Sequence, residues 1–204
     1  MSDSHLKRVV LASGNKGKLR EINQLLEGLH ITAVPQTQLG VTDVEETGLT
    51  FVENAILKAR HAAQLTGLPA IADDSGLEVD ALHGEPGIYS ARYSGVGATD
   101  AANLALLLEK LGEMPEARRT ARFQCLMVYM RHAKDPTPII CQGTWEGRIL
   151  FDPVGDNGFG YDPVFYVPAE ALSAAQLPSD VKNRLSHRGQ ALRRLVSALE
   201  HQPD

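Results

Sequence analysis

Residues 9–22 read VVLASGNKGKLREI, and this stretch decides the class of fold. An apolar run ends at Ala12. Ser13, Gly14, Asn15, Lys16, Gly17 and Lys18 follow, after which Leu19, Ile22, Leu25, Leu26 and Leu29 recur at helical spacing. A short apolar run of this kind reads as a buried strand, and the 3.6-residue period behind it reads as a helix with one apolar face. Ile31 to Val34 then gives a second short strand closed by Pro35, so the chain opens as a βαβ unit, the signature of an α/β sheet.

The same logic extends outward. Thr50 followed by Glu53 has the T-x-x-E form of a capping box and opens a helix running to about Thr66, ended by Gly67 and Pro69. Ala70 to Ala72 reads as a strand that runs directly into Asp73, Asp74, Ser75 and Gly76. Residues 84–97 are loop-like. Thr99 caps a helix bearing Leu104, Leu107, Leu108 and Leu111, with Gly112 beyond its end. Arg119–Arg131 and Ile139–Leu150 pair as a hairpin across a Lys-Asp-Pro turn. A glycine-rich loop, a brief strand at Pro163–Val167 and a final helix from about Ser186 to Glu200 complete the chain. The expectation is one α/β domain over 1–204, a mixed central sheet with helices on its faces and a hairpin-bearing lobe at roughly 113–167.

Composition narrows the function. With 43% hydrophobic and 22% charged residues, the chain is an ordinary globular protein, and its 204 residues suffice for a sizeable core. A net charge of −5 argues against nucleic acid as the main partner, because no basic excess exists to displace counterions. No segment approaches the roughly 20 apolar residues of a membrane span, and the start carries no signal-like stretch, so the expected location is cytoplasmic. Cys125 and Cys141, each in an apolar strand-like run, read as reduced buried thiols.

Five stretches carry chemistry. In SGNKGK the glycines match neither the G-x-G-x-x-G dinucleotide pattern nor the G-x-x-x-x-G-K-[ST] loop, since Leu19 follows Lys18. Its hydroxyl, amide, lysines and helix N-terminus suit an anion, and the same residues fit an ordinary turn with solvated lysines. IADDSG sets two adjacent carboxylates at a strand end. Successive strand residues face opposite ways, so Asp73 and Asp74 are expected to do different work: one binding a cation or taking a proton, the other bracing the turn. VEETG adds Glu45 and Glu46, a second source of carboxylates for magnesium. GDNGFGYDP places Phe159 and Tyr161 between glycines, where an aromatic ring can stack on a base or pack inward. SHRGQ offers His187 and Arg188 at a helix start, with Lys182 upstream, as an anion or base-edge reader or a charged cap.

Taken together, SGNKGK, EETGLTFVENAILKA, IADDSGLEVDALHGEPGIYSARYSG, GFGYDPVF and LSHRGQAL resemble, in this order, the inosine/xanthosine triphosphate pyrophosphatases, from Val9 to about Leu199. Ser13 stands where many members carry threonine, and both supply a hydroxyl. The resemblance implies two lobes around a deep substrate cleft, a homodimer, and Mg²⁺-dependent hydrolysis of ITP, dITP and XTP to the monophosphate and pyrophosphate. It implies that Ser13, Gly14, Asn15, Lys16, Gly17 and Lys18 grip the triphosphate and that Lys182 contacts the nucleotide. Phe159, Gly160, Tyr161 and Asp162, with His187 and Arg188, would hold and read the base, and Ser75 would touch substrate. Asp74 is implied as general base and metal ligand, with Glu45 chosen as second ligand and the adjacent Glu46 left as its rival. Two alternatives stand beside this reading: a nucleotide pyrophosphatase of different base preference, and a nucleotide sensor without turnover. Acids beside a triphosphate repel it unless a metal intervenes, which counts against the sensor.

Overall fold

The computed structural model describes residues 7–13 and 16–201, and in the first helix every side chain except those of residues 16, 17, 21 and 25. β1 (Lys7–Leu11) runs parallel to β2 (Ile31–Pro35), with Val9 opposite Ala33, and parallel to β3 (Ala70–Val79), with Val10 opposite Ala70. β4 (Thr120–Met130) and β5 (Ile139–Ile149) are the hairpin strands. β6 (Phe165–Val167) and β7 (Leu172–Ser173) add antiparallel pairings beyond them. The seven strands form one mixed sheet in the order β2-β1-β3-β4-β5-β6-β7. The mixed α/β class read from the opening stretch is therefore the class observed.

By its contacts the chain divides into two compact units, each assembled from several segments. The first holds Met1–Asp74, Leu126–Gln142 and Ala191–Asp204; the second holds Ser75–Cys125 and Gly143–Gln190. In the first unit, α1 (Lys16–Leu26) buries Ile22 and Leu26. Asn23 on this helix donates to the Ala33 carbonyl at 3.1 Å and accepts from the Ala33 amide at 2.7 Å. It thereby stands in for a neighbouring strand on the outer edge of β2, which otherwise presents unpaired backbone.

α2 (Phe51–Thr66) begins at the expected cap. The Thr50 hydroxyl accepts from the Glu53 amide at 3.3 Å, and the Glu53 carboxylate accepts from the Leu49 amide at 2.9 Å and the Thr50 hydroxyl at 2.8 Å. Its inner face is almost all alanine. Ala55, Ala59, Ala62 and Ala63 pack on Val10, Ala72, Val128 and Met130, and small side chains let helix and sheet approach closely. Gly67, in the left-handed region at φ +69°, ends the helix and donates to the Ala63 carbonyl at 2.9 Å.

The turn between β4 and β5 is tied by Asp135, whose side chain is 1% exposed. Its carboxylate accepts from the amides of Arg131 and Thr137, each at 3.0 Å, and from the Arg131 guanidinium at 2.9 and 2.6 Å. These bonds, the Arg131 guanidinium foremost, hold the carboxyl well below the usual range. An ionised group with a depressed folded value stabilises the fold above its unfolded value, near 4, and loses that contribution as pH falls through the folded one. Asp135→Ala is expected to cost about 2 kcal/mol at neutral pH. The gap from the parent, followed by thermal melting, should narrow progressively as pH drops below about 4.

The second unit has its own core. α3 (Asp100–Leu111), capped by Thr99 through the Ala102 amide at 3.2 Å, contributes Leu107 and Leu111 to a cluster with Leu77, Val79, Phe123, Trp145 and Phe165. Arg119, 1% exposed, donates to the carbonyls of Ile149 (2.9 Å), Gly112 (3.0 Å) and Leu150 (2.9 Å), joining the helix end to the end of β5. Cys125 and Cys141 are buried, as expected.

Three features depart from the sequence reading. β3 does not stop at Ala72 but continues to Val79, so Asp73 and Asp74 sit inside the strand and not at its end. Each has a lysine partner, and neutralised carboxylates do not break a buried strand. β7 and the seven-residue helix α4 (Ser179–Leu185) are additional elements, too short for a hydrophobic period to reveal. α5 (His187–Glu200) starts one residue later than read, because Ser186 is its cap and accepts from the Gly189 amide at 3.1 Å. Among the described residues, no helix is long and apolar enough to cross a membrane.

Candidate active site

In the first unit, the acids converge on two lysines. The Lys18 ammonium, on the first turn of α1, donates to both carboxylate oxygens of Asp73 at 2.8 and 2.7 Å, and the Asp73 side chain is 1% exposed. Asp74, one residue on and facing the other way, accepts from Lys58 of α2 at 2.8 Å. The two aspartates thus do different work, as their alternation in a strand requires. Lys58 also donates to Glu46 at 2.7 Å, so one ammonium joins the VEETG loop to β3.

Burial is the main cause that raises the Asp74 carboxyl above its ordinary value. The Lys58 charge and hydrogen bond oppose it, while the negative charges of Glu46 and Asp73 add to it. For Lys58 the balance is reversed. Burial works against its charged form, but the Asp74 charge and the bonds to Asp74 and Glu46 outweigh it and hold the ammonium more firmly protonated than usual.

The VEETG loop is fastened to the same helix. Asn54, fully buried and one turn before Lys58, accepts from the Gly48 amide at 2.8 Å. A side chain at Gly48 would put its Cβ 2.6 Å from Glu53 Cβ and 2.7 Å from Asn54 Oδ1, so only glycine fits. Of the two candidate glutamates, Glu46 is half-buried and bonded to Lys58, whereas Glu45 is exposed.

These groups fit a divalent cation on one observation: Asp74 Oδ2 is buried and has no hydrogen-bond partner among the described residues. Two carboxylates and one ammonium leave a net charge of −1, which a cation can offset. Among the described residues, no group of three His, Cys, Asp or Glu side chains has metal-binding geometry. Such a cation would therefore complete its shell from substrate and water, as Mg²⁺ commonly does.

Of the phosphate-turn residues, Ser13 follows β1 and Lys16, Gly17 and Lys18 belong to α1. Gly14 and Asn15 lie outside the described residues, as does the side chain of Lys16.

The second unit begins at Ser75 and gathers most of the remaining candidates. Ser75 accepts from the Arg188 guanidinium at 3.3 Å. Lys182, on α4, donates a short hydrogen bond to Asp162, and the same carboxylate oxygen accepts from the Phe159 amide at 2.8 Å. Phe159 is 60% exposed, with the Lys182 ammonium 5.1 Å and the Arg188 guanidinium 5.9 Å from its ring centre. Gly158, at φ +82°, has no room for a side chain, since a Cβ there would lie 2.1 Å from Asp162 Oδ2. Gly160 also takes a left-handed conformation, at φ +61°.

Two of the candidates sit deeper. Tyr161 is buried in the core and its hydroxyl donates to the Ser90 carbonyl at 2.8 Å; burial pushes its phenol up. The His187 ring stacks on Phe123 at 4.8 Å and 12°, and Trp145 lies at 6.4 Å and 21°. The structure therefore brings Ser75, Phe159, Asp162, Lys182, Arg188 and, through the Gly160 amide, Asp100 into one connected set. Sequence reading missed Lys58, Asn54 and Asp100. The available signal for the first two was their i, i+4 spacing on α2, which puts them on one helix face.

With this geometry in place, comparison decides the family. The description "Ham1 family" matches residues 9–198. The chain belongs to the Ham1 family. Full-length Ham1 relatives include a dITP/XTP pyrophosphatase of Shigella flexneri, 60% identical over 196 residues that span 96% of this chain and 100% of that protein. A dITP/XTP pyrophosphatase of Shewanella oneidensis is 62% identical over 195 residues, covering 96% and 95%. Among solved structures, a HAM1 protein from Coxiella burnetii superposes with a TM-score of 0.93 at 52% identity, covering 96% of this chain and 100% of that one. The fold seen here is the fold of that HAM1 protein.

Proposed function

We propose that the protein hydrolyses deaminated purine nucleoside triphosphates (ITP, dITP and XTP) to the monophosphate and pyrophosphate, with Mg²⁺, and so clears them from the nucleotide pool. Relatives at about 60% identity over the whole chain bear the name of this activity and support it. The observation that carries the chemistry is Asp74: a buried carboxyl with a raised proton affinity, one oxygen held by Lys58 and the other without a partner among the described residues.

In this reading Asp74 takes the proton from the attacking water, while Lys58 fixes the carboxylate through Oδ1. Lys58 also neutralises charge as the triphosphate enters. Asp74 and Glu46 would hold the metal, which when bound would offset phosphate charge and polarise phosphorus. Glu46 takes this role in preference to Glu45 because it shares Lys58 with Asp74. Lys18 is kept in place by Asp73, and together with Ser13, Gly14, Asn15, Lys16 and Gly17 it grips phosphate oxygens.

Phe159 offers its exposed ring for stacking, and Arg188 donates to the oxygen that hypoxanthine and xanthine carry at C6. Adenine presents an amino group there, which would leave donor facing donor. Lys182, Asp162 and His187 support this base-holding set, Tyr161 and Gly160 shape its loop, and Ser75 touches the substrate. The protein works as a cytoplasmic homodimer.

Product analysis tests the reading. Purified protein given ITP and Mg²⁺ is expected to release pyrophosphate and the monophosphate in equal amounts, with no orthophosphate as a direct product. Direct release of orthophosphate, or tight ITP binding with no product at all, would overturn it.

A further inference from the structure

The loop that carries Phe159 is held from within by Asp162, which bonds the Phe159 amide through its carboxylate and the Phe159 carbonyl through its own amide. Its turn is bracketed by two left-handed glycines, Gly158 and Gly160, and the Phe159 ring is mostly exposed between them. Asp162 secures the Phe159 amide from inside the loop. The next amide, that of Gly160, is bound from outside: it donates to Asp100 Oδ2 at 2.8 Å, from a residue 60 positions earlier in the chain.

Asp100 is the first residue of α3, and that helix is itself firmly set. Thr99 caps it, and Leu107 and Leu111 anchor it in the core. Asn103, three residues after Asp100, ties the helix to the preceding loop. It accepts from the Ser94 amide at 2.8 Å and donates to the Ala91 carbonyl at 3.1 Å. A well-anchored helix start therefore presents a carboxylate, itself favoured at a helix N-terminus, to the amide of a glycine in the left-handed region.

We infer that Asp100 is a positioning residue for base recognition: its carboxylate latches the Gly160 amide and so sets the attitude of the Phe159 ring toward the nucleotide base. The inference rests on the reading that the 158–161 loop holds the base. It assigns to α3 a part in substrate selection that none of the five recognised sequence motifs contains. Asp100 touches neither phosphate nor metal in this scheme, so its loss should weaken binding and leave the chemical step intact.

The test uses Asp100→Ala, Asp100→Asn and Phe159→Ala in the full-length protein, with ITP as substrate. Asp100→Ala is expected to raise KM about tenfold with kcat within about twofold of the parent. Asp100→Asn, whose amide oxygen can still accept from Gly160, should recover most of the parent KM. Amide hydrogen exchange on the ligand-free protein gives a second readout: protection at Gly160 should fall in Asp100→Ala and persist in Asp100→Asn. If Phe159→Ala raises KM while Asp100→Ala leaves KM and Gly160 protection unchanged, the latch is wrong and the base-holding loop stands. An unchanged KM in Phe159→Ala would overturn the base-holding reading and the latch with it.

Discussion

Asp74→Asn is expected to lower the turnover of ITP by about 10²–10⁴-fold while leaving the protein folded. The substitution keeps the shape of the side chain and removes its ability to accept a proton. The pH–rate profile should carry an acidic limb from protonation of Asp74, whose carboxyl burial raises and a bound metal would lower. The residual activity of Asp74→Asn should lack that limb.

Stability should move the other way. A carboxyl whose folded value is raised stabilises the fold in its protonated form, a contribution present below its unfolded value and lost as pH rises through the folded one. At neutral pH the ionised Asp74 is therefore a cost to the fold, and the melting temperature of Asp74→Asn should hold or rise. A variant that turned over ITP like the parent would remove Asp74 from the role of base.

Lys58→Met is expected to be nearly as damaging and to fail differently. It strips the shared cation from Asp74 and Glu46, leaving two acids with no ammonium between them. The loss of a largely buried partner should cost about 2–3 kcal/mol of stability, at the low end for a buried pair because Lys58 and Glu46 keep some solvent contact. Turnover should drop by about 10²-fold, and the acidic limb should shift to higher pH, because the Lys58 charge currently lowers the Asp74 carboxyl. Thermal melting and the pH–rate profile separate these effects. A limb that stays in place would mean that Lys58 does not act through Asp74.

The contrast between these residues shows what the sequence disclosed. Two adjacent acids in an apolar strand are costly unless they have work to do, and alternation assigned them to opposite faces, but which of the two serves as base came from the family resemblance alone. The partners of those acids were not legible. Lys18 and Asp73 are 55 residues apart, Lys58 and Asp74 are 16 apart, and nothing local in either lysine distinguishes it from a solvated one. The end of β3 was misplaced for the same reason: the charges look like a strand terminus until their counter-ions are known.

The capping box at Thr50 and the hairpin turn at Asp135 were readable because each is fixed by contacts within a few residues, and the opening βαβ unit because its apolar periodicity is strong. The set around Phe159 was half readable. Glycines on both sides of Phe159 mark an unusual loop, but its outer fastening to Asp100 depends on the packing of α3. Tyr161 illustrates the limit, because an aromatic residue in a glycine-rich loop looks equally fit for a ligand and for the core.

The central claim is selection of deaminated purines, and kcat/KM for ITP against ATP, measured on the same protein with Mg²⁺ and with pyrophosphate release as the signal, tests it most directly. A site whose donors face the C6 oxygen should favour ITP by about 10²-fold or more, against the roughly 10⁴–10⁵ that fully buried hydrogen-bonded recognition achieves. Equal values for ITP and ATP would contradict the account.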